Sequence, residues 1–447
     1  MAVLFAYPAL AEGSSWPRPP WGTGESDPED IRIALITFGP GDDIAAWFGH
    51  SAVLVEDTSR RVQRVYNYGM FSFGPDLLPR FLMGHLEFWV GESTLAGTLR
   101  SYSIMNRAIR LQELNLTPVK RARLARALAD NVLPENRYYL YHHYEDNCAT
   151  RIRDIVDDVL DGQLRAFADE PGRMTLRDHT RRHSQHNPFI DFVLMLWMND
   201  EIDGEITVWE EMFLPEEMER VFGEFSYVDD DGVRRPLVSR SQVHNEAMGR
   251  RPVPENPARS WPLMLLLGVG IGAGACALAS WHGRSGRRLP RVLFGIENVL
   301  VGLVVGLPAT LLFLMWTITE HTVTYRNENL LLASPLTFLA LPLGVALMTG
   351  SRWAARWLWT IWLLLAVMGA LAVALKVLPW FGQDNWMIIA LVLPMNLGFA
   401  LAWRWIPDLT PAGSSYFSFM TKEPSQSSKG GSVKKSRQRS RRSSAGR

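Results

Sequence analysis

The chain has 447 residues with 46 basic and 46 acidic side chains, enough for two or three domains and too balanced to favour a polyanion such as nucleic acid as partner. The balance hides a split. From Trp261 onward 18 Lys and Arg stand against 6 Asp and Glu, a net of +12, which leaves −12 on residues 1–260. With only two cysteines, Cys148 and Cys276, a disulfide framework is not expected and a thiol is left for chemistry.

Ala2 to Ala11 is apolar and ends in Ala9-Leu10-Ala11, like the tail of a secretory signal whose start lies upstream or has been cut short. Residues 1–30 are therefore read as signal remnant and extended lead-in. Ile31 to Phe38 predicts a buried strand closed by Gly39-Pro40-Gly41-Asp42. His50 opens a second strand through Val55, turn material follows at Asp57 to Arg60, and Arg61 to Tyr68 predicts a third strand. A hairpin centred between Thr58 and Ser59 sets His50 opposite Asn67, with Tyr66 and Tyr68 as alternatives if the register slips. Ala108 to Leu114 reads as a further strand. Thr117-Pro118 starts a helix that runs to about Leu133 with Arg and Lys on its solvent face.

Tyr141 to Leu160 carries the chemistry. Ile152, Ile155, Val156, Val159 and Leu160 recur at helical spacing, and Asp146-Asn147 are capping types, so Cys148 falls in the first turn. Unpaired N–H groups and the helix dipole there favour an anion and are expected to lower the thiol pKa. Gly162 closes the helix. His179, His183 and His186 have a spacing that suits a metal, but without a carboxylate or cysteine in register they read as a solvated face, and no metal or other cofactor is expected. Trp209 to Met218 suggests helix, turn, helix; Tyr227 to Val238 suggests a hairpin around Asp229-Asp230-Asp231-Gly232.

Residues 251–260 form a Pro/Arg/Asn linker. Five apolar segments follow, Trp261–Trp281, Val292–Thr319, Leu330–Gly350, Leu358–Leu378 and Trp386–Trp405, each long enough for roughly 30 Å of hydrocarbon. Arginines follow the first and third, and a Ser/Lys/Arg tail with nine basic residues follows the fifth. The positive-inside rule then sets the soluble half outside and the disordered tail, 407–447, in the cytoplasm. Glu297 within a span calls for a partner or a place inside the bundle. Glu320, His321, Asn327, Asn329, Asp384 and Asn385 fall at outer span ends; they are either interfacial or line a lipid headgroup site.

Thr37-Phe38-Gly39-Pro40-Gly41, Phe48-Gly49-His50-Ser51, Tyr66-Asn67-Tyr68-Gly69 and Tyr141 to Asp154 around Asp146-Asn147-Cys148, followed by five spans, resemble the Lnb-type lipoprotein N-acyltransferases over roughly residues 30–405. The resemblance implies an α+β periplasmic domain over 31–250, similar to a permuted NlpC-type papain-like fold with an antiparallel sheet and a nucleophile helix, then an all-α five-helix membrane domain over 261–406. It implies Cys148 as nucleophile, His50 as base and Asn67 as orienter of the imidazole. Asn147, Tyr68, Glu320, His321, Asn327, Asn329 and Asn385 stand as candidate substrate-binding positions. The implied reaction moves an acyl chain through a Cys thioester onto the N-terminal amine of a diacylated lipoprotein, in the inner membrane, with phospholipid or the lipoprotein's own glyceride as donor. A membrane-anchored hydrolase of peptidoglycan peptides or lipid esters is the alternative, and a non-enzymatic assembly factor a third reading.

Overall fold

A computed structural model of the chain describes residues 16–71, 83–84 and 87–406. The signal-like stretch and the basic tail lie outside the described residues. The lead-in is not simply extended: Pro20–Thr23 forms a helical turn that buries Trp21, whose indole N–H donates to the Tyr66 hydroxyl at 2.9 Å.

Seven strands make one antiparallel sheet: β1 (Ile31–Phe38), β2 (His50–Asp57), β3 (Val62–Met70), β4 (Glu87–Ser93), β5 (Ile109–Leu114), β6 (Tyr138–Leu140) and β9 (Val238–Asn245), in the order β6-β4-β3-β2-β1-β5-β9. A separate hairpin, β7 (Ser226–Val228) and β8 (Arg234–Pro236), turns at Gly232 with φ +78°, as Asp-Gly turn chemistry predicts. β2 is the central strand. Alternation along it separates two cores. Val53 and Val55 join Ile33, Leu35, Tyr66 and Tyr68 on one face, under helices α2 (Pro118–Asn131) and α3 (Cys148–Val159). Ala52 and Leu54 join Ile36, Phe38 and Val65 on the other, where Tyr102 of α1 (Leu95–Ile104) covers them.

The β2–β3 register differs from the expected one by two residues: Ala52, not His50, faces Asn67. The loop is longer than the turn residues implied, because Asp57 accepts the Arg60 N–H and the Ser59 hydroxyl, both at 2.9 Å, and Arg61 adopts a left-handed φ of 56°. A two-residue slip preserves the face, so Asn67 remains a diagonal neighbour of His50. The α2 cations are not all solvated. Lys120 reaches the Val159 carbonyl at 3.1 Å and Asp161 at 2.7 Å, and Arg121 reaches the Ile31 carbonyl at 2.7 Å, so both are buried with partners.

The histidine face of α4 (Leu176–Ser184) is also internal. His179 and His183 are buried; His179 pairs with Glu211 at 2.9 Å, His183 with the Trp47 carbonyl at 2.9 Å, and Arg182 with Glu216 at 2.6 Å. The solvated-face reading is corrected here: acids supplied by Val208–Glu211 and α6 (Pro215–Glu224) balance what looked like an unpaired basic stripe.

Long apolar helices span Trp261–Ser285, Arg288–Ile318, Arg352–Leu375 and Trp386–Trp405. The second contains a π-helical turn at Gly302–Gly306. The expected third span is not continuous but bent by 64° between Thr322–Leu331 and Pro335–Met348. Ser334 caps a new helix start and Pro335 takes its first position, which leaves about 21 Å of helix after the break. The segment still runs from one end of the bundle to the other. Asn329 at its start holds the Leu196 carbonyl of the soluble half, whereas Met348 at its end faces Arg291, at the opposite end beside the start of the second helix.

Glycines set the closest approaches. A Cβ on Gly398 would fall 2.2 Å from the Gly272 Cα, so the first and last spans touch backbone to backbone. A Cβ on Gly274 would meet Glu297, which therefore faces the first span.

One further helix, α5 (Pro188–Trp197), ties the halves together. Its Phe192, Val193, Met195 and Leu196 belong to the same apolar cluster as the spans. Its last carbonyls have no donors within the helix. Asn329 supplies Met195 and Leu196, at 3.2 and 3.0 Å, and Asn327 supplies Leu196 and Trp197, at 3.1 and 2.8 Å. Asn385 donates to Asn329 at 2.9 Å, and the Lys376–Glu328 ion pair lies alongside.

Candidate active site

Cys148 is the first residue of α3. Asn147 caps the helix: its side chain accepts from the N–H groups of Ala149 at 2.7 Å and Thr150 at 3.0 Å, while Thr150 Oγ1 accepts from the Asn147 N–H at 2.8 Å. The Asn147 amide also donates to the carbonyls of His143 at 2.7 Å and Phe213 at 3.0 Å. The Asn147 oxygen thus serves the helix start, and its nitrogen ties that start to Phe213 and to the preceding turn. This cap contributes about 1 kcal/mol and aims the sulfur at the end of β2. There the Ser51 N–H lies near enough to favour the thiolate. That nitrogen is bonded to the His50 carbonyl carbon, so the sulfur lies near the peptide that follows the histidine. Gly69 of β3, at φ +88°, lies beside the cysteine; even a Cβ there would sit 4.0 Å from the Cys148 Cβ.

His50 stacks on Phe38 and Tyr102, with ring centroids 5.8 and 5.9 Å away. Asn67 lies near enough to favour the ring's protonated form. Asn67 in turn donates to Ser93 Oγ at 2.8 Å, which bonds Thr98 Oγ1 at 2.7 Å. The run from Asn67 to α1 fixes the orientation of the amide. Arg107 lies close enough to act electrostatically on both His50 and Cys148. It is buried, donates to the Gly39 carbonyl at 2.7 Å and sits 4.9 Å from the Tyr102 ring.

The electrostatics overturn one expectation. The Cys148 thiol is pushed above its ordinary range, because burial outweighs the N–H groups of Ser51, Cys148 and Ala149 and the Arg107 charge. A helix start is worth only about 0.3–1 kcal/mol, less than one pKa unit, so even the half-burial of Cys148 can outweigh it. Burial, with help from Arg107, holds His50 down to about 3. At rest, then, the thiol and the imidazole are both neutral. With Cys276 replaced by alanine, alkylation of Cys148 by iodoacetamide near neutral pH is therefore expected to run at least about tenfold slower than for free cysteine and to climb above the ordinary thiol range. A fast rate, flat from about pH 5 to 8, would instead reveal a thiolate–imidazolium pair.

The remaining candidates scatter. Tyr68 is buried on the α2–α3 face and its hydroxyl accepts from Asn131 at 2.8 Å. Asn327, Asn329 and Asn385 serve the α5 latch. The Glu320 N–H donates to the Met83 carbonyl at 3.0 Å, so Glu320 and His321 meet the β3–β4 connection. Three contributors to the site were not legible in advance: the Ser51 N–H, Ser93 and Arg107. Backbone donors carry no residue signature, and a lone arginine before a strand has no motif around it.

Residues 18–182 match the family model described as the Lnb N-terminal periplasmic domain. No curated protein matches, and no solved structure does.

Proposed function

From the premise that this chain belongs, through its first domain, to the Lnb family, we propose that it is a lipoprotein N-acyltransferase working through Cys148 and His50. With a periplasmic domain and four or five apolar spans, it is an inner-membrane, multi-pass protein. The observation that supports the reading best is the place of Cys148, first residue of a capped helix and set against β3 at Gly69, with Ser51, the residue after His50, near enough to act on the thiol.

In the first half-reaction the neutral imidazole takes the thiol proton as sulfur attacks an acyl ester carbonyl. The oxyanion is held by the backbone N–H of Cys148, since those of Ala149 and Thr150 serve the cap. Collapse expels the glyceride alcohol, which leaves with the proton from His50, and a Cys148 thioester remains. In the second half the lipoprotein's N-terminal amine attacks the thioester. His50 removes the ammonium proton and returns it to the departing sulfur. A base held near 3 is weak in the resting state, but the negative charge developing beside it raises its proton affinity when it must act. Asn67 accepts from the imidazole and so stabilises the imidazolium. The Met83–Glu320 contact brings the connection that leaves β3 to the outer end of the second span, which suits delivery of acyl chains from the bilayer.

The test is the mass of a lipoprotein N-terminus from cells with and without the protein. N-acylation that depends on the protein is expected; an unchanged N-terminus overturns the reading. One added chain identifies a separate donor, and a chain moved at constant mass identifies the lipoprotein's own glyceride. With the acceptor amine blocked by acetylation, an acyl adduct on Cys148 that hydroxylamine removes is expected to accumulate.

A further inference from the structure

The junction of the two halves holds a cavity of about 610 Å³ that the proposed reaction does not use. Its upper wall carries Arg177, Arg181 and Arg259; its lower wall carries Trp261, Trp386, Met387 and Ile389, at the outer starts of the first and fifth spans. Both tryptophans are exposed, as in the aromatic belts at headgroup depth.

The charges in this cavity are not all spent. Arg177 is committed to Asp203 and to the Asn199 carbonyl at 2.6 Å. Arg181 donates to the Ala258 carbonyl and to Ser260 Oγ, at 2.7 and 2.9 Å, yet its Nε is buried without a partner. Arg259 is exposed and makes no hydrogen bond or ion pair among the described residues. Against Arg181 and Arg259 stands Asp384, which also lines the cavity, leaving one positive charge. A second observation points to a ligand. Asn385, 2 % exposed, donates its amide N–H to Asn329, but its Oδ1 is buried with no donor. An orphaned acceptor of this kind costs about 1–3 kcal/mol unless something outside the chain supplies a donor.

We propose that this cavity is a glycerophospholipid site: Arg181 and Arg259 hold the phosphodiester, a hydroxyl or ammonium of the headgroup donates to Asn385 Oδ1, and an acyl chain lies on Trp261, Met387 and Ile389. One net positive charge matches one phosphodiester, and the cavity's depth is where bilayer phosphates lie. The lipid fills the gap between α4 and the spans and fixes the height of the soluble half above the bilayer. The inference does not depend on the reaction proposed above.

The experiment uses the full chain in detergent micelles, with thermal unfolding read against added phosphatidylglycerol, phosphatidylethanolamine, phosphatidylcholine, diacylglycerol or inorganic phosphate. Phosphatidylglycerol and phosphatidylethanolamine are expected to raise the melting temperature, phosphatidylcholine less because its headgroup has no donor, and diacylglycerol and inorganic phosphate not at all. Arg259→Gln, which breaks no internal contact, is expected to melt like wild type without lipid and to need about tenfold more phosphatidylglycerol for the same shift, the effect of one charge-assisted bond; Arg259→Lys restores much of it. Equal protection by diacylglycerol, or an unaltered response of Arg259→Gln, overturns the site. An equal shift from inorganic phosphate shows that free phosphate, not lipid, is the ligand, and equal protection by phosphatidylcholine removes Asn385 Oδ1 from the recognition.

Discussion

Cys148→Ala abolishes N-acylation, lowering the rate by more than about 10³-fold, while the protein stays in the membrane at its normal level. The loss is large because, in the proposed mechanism, the residue forms and breaks the covalent bond in both half-reactions. Protein levels hold because the sulfur contributes little to the packing of α3, which rests on the Asn147 cap and on Ile152, Val156 and Val159. His50→Ala is expected to follow, with a loss of about 10²–10⁴-fold. Asn67→Ala, acting only through the imidazole, loses less, and its pH–rate profile shifts as the imidazolium loses an acceptor. The measurement is the mass of a model lipoprotein's N-terminus after reaction with each purified variant in vesicles. Normal N-acylation by Cys148→Ala would remove this chain from the thiol acyltransferases altogether.

Asn329→Leu unseats the soluble half. The side chain makes three hydrogen bonds in a fully buried setting, to the carbonyls of Met195 and Leu196 and from Asn385. Leucine removes the Asn329 donor from the Met195 carbonyl, leaves Leu196 with Asn327 alone, and strands the Asn385 amide. A cost of about 3 kcal/mol follows from the desolvation of unpaired groups. The expected outcome is a melting temperature lower by several degrees and new protease cuts around Asn187 to Asp203 in the solubilised chain. The local reading predicts that Asn327→Leu behaves alike, because Asn327 serves Leu196 and Trp197 and accepts from Gln383 at 3.2 Å. If both variants melt and digest like wild type, the asparagines are not what joins the halves.

Much of this architecture was legible. The run Ile31–Phe38 reads as a strand from its β-branched content alone, and the Asp146-Asn147 cap locates Cys148 at a helix start because capping chemistry is local. What local chemistry does not carry was missed or misplaced. The β2–β3 register depended on Arg61 taking a left-handed conformation that its side chain does not advertise. Lys120 and Arg121 look solvated until Asp161, and the carbonyls of Val159 and Ile31, are brought to them by the fold. That Asn327 and Asn329 hold the last carbonyls of α5 was not legible, because those carbonyls lie about 130 residues away in the chain. The thiol's direction of shift was misjudged for the same reason. Helix position can be read from a cap, but burial is set by everything that packs around it.

The glycine-to-glycine seam between the first and last spans has a consequence for biosynthesis. The first span leaves the ribosome more than a hundred residues before its partner, and until Gly398 arrives its Gly272 face has nothing of matching shape to close on. A chain stopped after the fourth span should therefore reach the bilayer with an open bundle and be cleared by quality-control proteases, even though its extracytoplasmic part was translated in full.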